Sequence, residues 1–282
     1  MPPAGGSTFR SSHDDMNSFE VFLEDWMIRQ EQILEELLLV AQDMASNIVE
    51  SQEVNSTVVM RDLISRVLAH YQEYYEEKSR MTHRNVFQAF SPPWFTQLER
   101  TFLWIAGFKP GLAFTLRLAW LLKKRVLLTL RMSINIGVLV YYFQQVTESV
   151  NDLSENQVQM MNLVREETKV EEKRLMEELA KIQESVTGFQ FVGVAGRTGV
   201  QLLNTGNIEA EMDELKTAME IVVMDADRLR TGTANRVVGL LNPLQSLRFL
   251  TSAAQLQLMM RRLGKQKEAE SQQNNNNNNN EV

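Results

Sequence analysis

Histidine is the side chain best suited to acid–base chemistry or metal binding near neutral pH, and this chain has three: His13, His70 and His83. The spacing of His70 and His83 matches neither i, i+3 nor i, i+4, so the two cannot form a pair of ligands on one helix face. Because His70 lies beside Tyr71 in an aromatic segment, we expect it to be packed or hydrogen-bonded rather than a ligand. The chain has no cysteine, which excludes disulfides, cysteine zinc sites and thiol catalysis. The sequence therefore predicts no metal and no cofactor.

Carboxylates and glycines are the other residues with catalytic potential. Paired glutamates are abundant, but a catalytic acid and base need different environments, and these glutamates lie in charged runs typical of a solvated surface. No serine or threonine lies in a nucleophile elbow. The glycine-bearing segment 193–199 lacks the spacing and lysine of a phosphate-binding loop, and it lacks the strand that precedes a dinucleotide-binding turn. We therefore predict a connecting loop over 188–206 and a protein that is not an enzyme.

The overall charge limits the kinds of partner. The chain of 282 residues has a net charge of −7 and a pI near 5.2. Contact with nucleic acid would therefore need a local basic patch. No apolar stretch follows Met1, so we expect no secretory signal and an intracellular protein.

Apolar residues recur at helical spacing in every strongly patterned segment, and no segment sustains the alternation of a strand. The first helical face comprises Phe19, Phe22, Leu23, Trp26, Ile33, Leu34 and Leu37. The second comprises Leu63, Ile64, Val67, Leu68, Tyr71, Tyr74 and Tyr75, with Asn55 or Ser56 as its N-cap. The sequence predicts an all-α fold: a single domain of about seven or eight helices, with long antiparallel helices around one core.

The segment 91–110 reads as a complete short helix. Pro92 and Pro93 stand where a first turn tolerates missing N–H donors, and Gly107 followed by Pro110 is typical of a helix end. Later in the chain, Ser154 and Gln157 form a capping box that should start a helix running to about Val186. Its charged residues indicate a solvated face, with a coiled-coil pairing as the alternative.

Two further helices are expected toward the carboxyl end. One should run from about Ile208 to Thr231 and end at Gly232, and Asn242-Pro243 should separate it from a last helix that ends at Gly264. The domain is then 18–264, between a disordered lead over 1–17 and a disordered, asparagine-rich tail over 265–282.

The basic and apolar stretch 117–147 is atypical. No acidic residue occurs from Thr101 to Thr147, and the stretch from Val126 to Phe143 is nearly continuously apolar, just long enough to be considered for a membrane span. Arg131 and Asn135 argue against a span. A basic amphipathic surface helix, a buried hairpin or helix extension, and a translated intron are the other interpretations.

Several blocks resemble the plant delay-of-germination domain, which is also the C-terminal domain of TGA-type bZIP transcription factors. The resemblance covers most of the chain except the termini, about 117–147 and about 188–206. It rests on these blocks in family order: FEVFLEDW at 19–26, VLAHYQEYY at 67–75, the central run 94–110, LSENQ at 153–157, DRLR at 227–230 and the helix that ends at Leu263-Gly264. The residues we assign to the family scaffold are Phe19, Trp26, Gln30, His70, Tyr71, Trp94, Glu99, Arg100, Phe102, Leu103, Trp104, Gly107, Phe108, Pro110, Leu153, Gln157, Arg228, Leu229 and Arg230.

The resemblance implies a non-enzymatic regulatory protein that acts through other proteins. Members of the family act in plant signalling and development, including seed dormancy through phosphatases and the positioning of pollen apertures. Phosphatases, kinases or bZIP factors are thus the expected partners, in the nucleus and/or the cytoplasm. No oligomeric state follows from the sequence.

Two other functions stay open. A transcription-linked role would be indirect, because no basic region with a leucine zipper precedes the domain. A form associated with the plasma membrane would depend on residues 117–147. Haem binding is attributed to some members through histidines near the carboxyl end, but this chain has no histidine after His83, so we do not carry that property over.

Overall fold

A computed structural model describes residues 8–46, 53–118, 153–188 and 205–280. Within them lie seven α-helices, one 3₁₀ helix and a hairpin of two short strands, which confirms the all-α fold. The elements in chain order are α1 (Thr8–Ser46), α2 (Glu53–Arg84), α3 (Val86–Phe90), α4 (Gln97–Arg100), β1 (Leu103–Trp104), β2 (Gly107–Phe108), the 3₁₀ helix (Pro110–Leu118), α5 (Glu155–Gly188), α6 (Thr205–Leu240) and α7 (Pro243–Asn280).

Ion pairs between neighbouring helices show that the long helices pack antiparallel, as expected. On α1 and α2, Arg29 pairs with Glu73 and Glu36 pairs with Arg66, so the numbering rises on one helix as it falls on the other. The same order relates α5 to α6 through the pair of Glu167 with Arg236 and the pair of Arg174 with Asp225.

The apolar core comprises two clusters of buried residues. The first cluster includes Trp26, Trp94 and Leu175, and the second includes Leu37, Val67 and Leu247. The half-buried ring of Tyr71 packs against both clusters and links them. Burying so much aromatic and aliphatic surface at helical spacing supplies the main stabilisation of the bundle.

Several helix boundaries follow from local sequence signals. The capping box is confirmed, since the Ser154 amide donates to Gln157 Oε1 (3.0 Å) and the Gln157 amide donates to Ser154 Oγ (3.2 Å). The break at Asn242-Pro243 is also confirmed, because α6 ends at Leu240 and α7 begins at Pro243. The N-cap predicted at Asn55 or Ser56 is wrong, because both residues lie inside α2.

The central segment does not form the complete short helix that was predicted. Only Gln97–Arg100 is α-helical, and the chain then turns into an antiparallel hairpin in which Leu103 pairs with Phe108 and Trp104 with Gly107. Gly107 has no positive φ and is not a helix C-cap, whereas Ile105 and Ala106 have φ values of 43° and 59°. Left-handed residues at both central positions are typical of a two-residue hairpin turn.

Two predicted helix ends at glycines are also wrong. Gly232 is an exposed residue inside α6, and Gly264 is a buried residue inside α7. A single glycine in a helix costs only about 1 kcal/mol relative to alanine, so favourable flanking sequence carries the helix through it. The backbone of α7 accordingly continues to Asn280 through much of the tail expected to be disordered, and α1 begins at Thr8, within the expected lead.

Two sequence predictions fall mostly on parts of the chain that the structure does not describe. Most of the atypical stretch 117–147 and most of the loop 188–206 lie outside the described residues. Among the residues that are described, no helix is both long and apolar enough to cross a membrane.

Candidate interaction site

Arg230 on α6 is the centre of a polar cluster that holds the hairpin. Its guanidinium donates to the backbone oxygens of Trp104, Ile105 (2.8 Å) and Phe108 (2.7 Å). It also lies 5.2 Å from the centre of the Trp104 ring, a cation–π distance. These hydrogen bonds hold the carbonyl groups around the turn. The turn is strained because Ile105, a β-branched residue, has a positive φ. The hairpin therefore depends on a side chain that is remote in sequence.

Two further charges complete this cluster. Asp227 accepts from both Arg230 (2.5 Å) and Lys78 (2.8 Å), and the Lys78 and Arg230 side chains are only 4% and 6% exposed. Burial lowers the pKa of Lys78 to about 8, although the Asp227 carboxylate opposes that shift. Since the donors and acceptors satisfy one another inside the bundle, the cluster joins α2, α6 and the hairpin and presents no open site.

The central segment is also fastened to α5 and α7. Glu172 accepts from the backbone amide of Gly111 (2.6 Å) and lies 3.3 Å from Lys109. From α7, Arg261 donates to Trp94 O (2.8 Å) and lies 3.3 Å from Glu99 Oε2. We call residues 92–111, with these contacts, the central block. Its polar contacts indicate a scaffold.

Sequence reasoning missed two features of the central block and its contacts, although the sequence contains a signal for each. Thr96 and Glu99 form a buried capping box, which the T-x-x-E pattern at 96–99 shows. Glu172 was assigned to a solvated face but is 4% exposed. The spacing of Val164, Thr168 and Glu172, each four residues from the next, places Glu172 on the inward stripe of α5.

His70 and Tyr71 are packed into the first half of the bundle. The His70 ring stacks on Trp26 with centres 4.3 Å apart, and Trp26 Nε1 donates to the His70 carbonyl (2.9 Å). Burial lowers the pKa of His70 from 6.5 to about 4, so the ring is neutral at physiological pH. Gln30 donates to Tyr71 Oη (2.6 Å) and to Gln257 (3.2 Å), which ties α1 to α2 and α7.

The other predicted scaffold residues are spread over the bundle. Phe19, Trp94 and Pro110 are buried, and Phe102, Leu103, Phe108, Leu153 and Leu229 are half-buried. Arg100 and Arg228 are exposed and make local contacts with Pro93 and Asp225. Gln157 donates to Leu240 O (2.9 Å) and Gln245 (2.8 Å), so it fastens α5 to the junction of α6 and α7.

No catalytic or metal-binding constellation emerges from these positions. Within the described ranges, no group of three or more histidine, aspartate or glutamate side chains could hold a metal ion. The carboxylates of the α5 charged run mostly pair with lysine or arginine one turn away, as Glu166 does with Lys169 and Glu178 with Arg174. Such exposed pairs contribute little to stability, because water and salt screen them.

An apolar groove opens between the end of α1 and the start of α2, far from the central block in sequence. It has a volume of about 530 Å³ and is lined by Glu36, Leu39, Val40, Val58, Val59, Asp62, Leu63 and Arg66. Leu39, Val58 and Val59 are 63%, 61% and 53% exposed. We call these eight residues the α1–α2 groove. Sequence reasoning did not single out this surface, because exposed and buried apolar residues of one helix look alike in a sequence.

The floor and rim of the α1–α2 groove have different chemistry. Leu63 belongs to the second core cluster, and Val40 packs against that cluster, so the floor is fixed by the bundle. On the rim, Arg66 pairs with Glu36 (2.6 Å) and with Asp62 (3.2 Å). An apolar centre with a charged rim is the usual composition of a protein-binding surface.

Comparisons with known proteins identify relatives of the chain. Residues 41–117 match the family model described as seed dormancy control, DOG1. The chain is 34% identical to Protein ZW2 of Arabidopsis thaliana, over 88% of this chain and 96% of that protein. It is 30% identical to Protein RESPONSE TO ABA AND SALT 1 of the same plant, over 86% and 94%.

A more distant relative shows where else the domain occurs. Transcription factor TGA5 of Arabidopsis thaliana is 24% identical over 92% of this chain but only 67% of its own length. Protein ZW2 and Protein RESPONSE TO ABA AND SALT 1 are matched almost from end to end, so the similarity is not confined to one motif. The chain therefore belongs to the seed dormancy control (DOG1) family, whose domain TGA transcription factors share.

Proposed function

We propose that the protein is a non-enzymatic plant regulatory protein that acts by binding other proteins in hormone or developmental signalling. The observation that carries this proposal is the nearly end-to-end similarity to Protein RESPONSE TO ABA AND SALT 1, whose name describes a response to abscisic acid and salt. The described structure is consistent with it, because polar side chains of the bundle mainly stabilise the fold and an apolar surface stays open.

The experiment is affinity purification of the tagged protein from plant tissue at moderate salt, followed by quantitative mass spectrometry. We expect recovery of signalling proteins such as phosphatases or kinases, which would support a role as a signalling adaptor. A variant that lacks residues 117–147 serves as a comparison, since partners lost with the deletion would depend on that stretch. Recovery of no specific partner would contradict the proposal.

A transcription-linked role is the second candidate, and the similarity to transcription factor TGA5 favours it. We propose that such a role would be indirect, through a bound bZIP factor. Two experiments separate the possibilities. Recovery of bZIP factors and chromatin proteins would favour the role, and a salt-dependent mobility shift with purified protein alone would show direct contact with DNA instead.

Membrane association is a third candidate that depends only on residues 117–147. Alkaline extraction of membranes tests it. Release of the protein into the soluble fraction would remove the idea, whereas retention that is lost in the 117–147 deletion would support it.

A further inference from the structure

The shape of the α1–α2 groove limits what could occupy it. Leu39 on one side and Val58 and Val59 on the other are each more than half exposed, so a small molecule on the floor would leave these walls in water. An occupant that buries them must lie across both helices.

A helix fits this requirement better than an extended peptide. The walls belong to α1 and α2, whose backbone groups are hydrogen-bonded within the helices, so the groove offers no strand edge for β-augmentation. An α-helix is about 10–12 Å across and can present apolar side chains at i, i+3, i+4 and i+7 to a groove. The geometry thus favours an amphipathic helix.

The charges around the groove indicate which charge a partner should carry. Glu31, Glu35 and Leu39 follow one another at intervals of one turn on α1, so the two carboxylates lie on the same side of the helix as Leu39. Two more carboxylates, Glu36 and Asp62, lie on the rim of the groove. The bases nearby are Arg66, which pairs with Glu36 and Asp62, and Arg61 beside them on α2. A third base, Arg262 of α7, lies 3.8 Å from Glu31 in an exposed pair, which leaves the carboxylates in excess.

The acidic character extends along the rest of α1. Its described side chains, residues 18–42, include one base, Arg29, and six acids. These acids are Glu20, Glu24, Asp25, Glu31, Glu35 and Glu36. A partner with lysine or arginine beside its apolar stripe is therefore electrostatically complementary to this side of the molecule.

We propose that the α1–α2 groove binds an amphipathic helix of a partner protein, with basic residues flanking its apolar face. The proposal deepens the proposed protein-binding function and rests on it for the existence of a partner. Apolar side chains of the partner bury Leu39, Val58 and Val59, and its basic flanks face Glu31, Glu35 and the rim. The apolar contacts supply most of the affinity, and the charges supply selectivity.

The test uses the full chain and a synthetic helical peptide with leucine at i, i+3, i+4 and i+7 and lysine on both flanks. A second peptide carries glutamate in place of lysine. In fluorescence anisotropy, we expect the lysine peptide to bind and the glutamate peptide to bind more weakly by about tenfold or more, a difference of about 1.4 kcal/mol. Hydrogen exchange should show protection within residues 36–42 and 58–66.

Matched substitutions locate the binding. The double variant L39K/V59K places charge on the walls and should weaken binding by about tenfold or more. The control L163K/V170K changes the same residue types on α5, at positions that are 56% and 66% exposed, and should bind as the unchanged chain does. Glu35→Lys keeps the apolar walls and should weaken only the lysine peptide. Circular dichroism confirms that each variant is folded.

Several results would overturn the proposal. They are absence of binding by the lysine peptide, equal loss in the α5 control, protection elsewhere on the chain, and binding only after residues 117–147 are removed. The last result would assign the groove to the chain's own segment. In the plant purification, equal recovery of partners by L39K/V59K and the unchanged chain would refute the groove, whereas recovery of no partner by the unchanged chain would contradict the broader function.

Discussion

The central block and the α1–α2 groove differ in how they use their side chains. In the central block, Arg230, Glu172 and Arg261 reach in from three helices and bind backbone groups of the segment. In the groove, Leu39 and Val59 are more than half exposed and contribute little to the bundle. The comparison teaches that the most recognisable part of the sequence is held by contacts within the fold, whereas the surface that we propose for partners lies elsewhere.

The physical reason is the cost of leaving groups unsatisfied. Burying a cation or a carbonyl group without a hydrogen-bond partner is costly. Such groups therefore pair with one another inside the fold and do not remain available to bind another protein. Exposed apolar side chains contribute little to the stability of the free protein, but their burial by a partner contributes to the free energy of binding. Four predictions test this contrast, from the largest expected effect to the smallest.

Replacing Arg230 with alanine should give the largest effect. It removes three hydrogen bonds to buried carbonyl groups of the hairpin and one of the two cations paired with Asp227, which should lower the free energy of unfolding by about 3–5 kcal/mol. Urea denaturation monitored by circular dichroism measures this free energy of unfolding. Arg228→Ala is the control, because that side chain is 71% exposed and should change stability by no more than about 0.5 kcal/mol. Equal effects of the two variants would show that the cluster does not hold the central block.

Gly264→Ala tests the close contact between α7 and the central block. An added Cβ would overlap Thr96 Oγ1, and relieving that overlap should cost about 1–3 kcal/mol. Gly232→Ala is the matched control inside α6, where nothing lies within 4 Å, and it should instead stabilise the protein by about 0.5–1 kcal/mol. Thermal and urea unfolding measure both. Stabilisation by Gly264→Ala would contradict the close packing.

The stability of the bundle near α1 and α2 should depend on pH through His70. Its pKa is about 4 when folded and 6.5 otherwise, so the unfolded chain binds the proton more readily. This contribution is fully present above pH 6.5 and is lost as the pH falls toward 4. The pKa difference corresponds to about 3 kcal/mol, and solvent screening reduces the expected loss to about 2 kcal/mol. Urea titrations across this range should show a smaller decline for His70→Phe than for the unchanged chain. His83→Phe changes a half-exposed histidine and should keep the decline; a flat profile in that variant would contradict the assignment.

The smallest effect is expected in the groove. Leu39→Ser should change the free energy of unfolding by no more than about 0.5 kcal/mol, because the side chain is 63% exposed. Leu37→Ala on the same helix should cost about 2–5 kcal/mol, since Leu37 is fully buried. Chemical denaturation compares the two. A large loss of stability in Leu39→Ser would mean that the groove is part of the scaffold.

Local signals in the sequence determined much of the fold. The helical spacing of apolar residues predicted the long helices, the Ser154 and Gln157 pair fixed the start of α5, and Asn242-Pro243 fixed the break before α7. These features depend on residues close together in the chain, so their physics is present in the sequence. The same blocks also identified the family.

Tertiary contacts decided the rest. The segment after Arg100 forms a hairpin rather than a helix because Arg230, more than a hundred residues away, binds its carbonyl groups. Gly264 lies inside a helix instead of ending one, and its role is to leave room for Thr96, which approaches too closely for a larger side chain. Whether an apolar residue such as Leu37 or Leu39 is covered depends on which elements pack over it. Periodicity predicts that a helix has an apolar face, but only the packed structure shows where that face stays open.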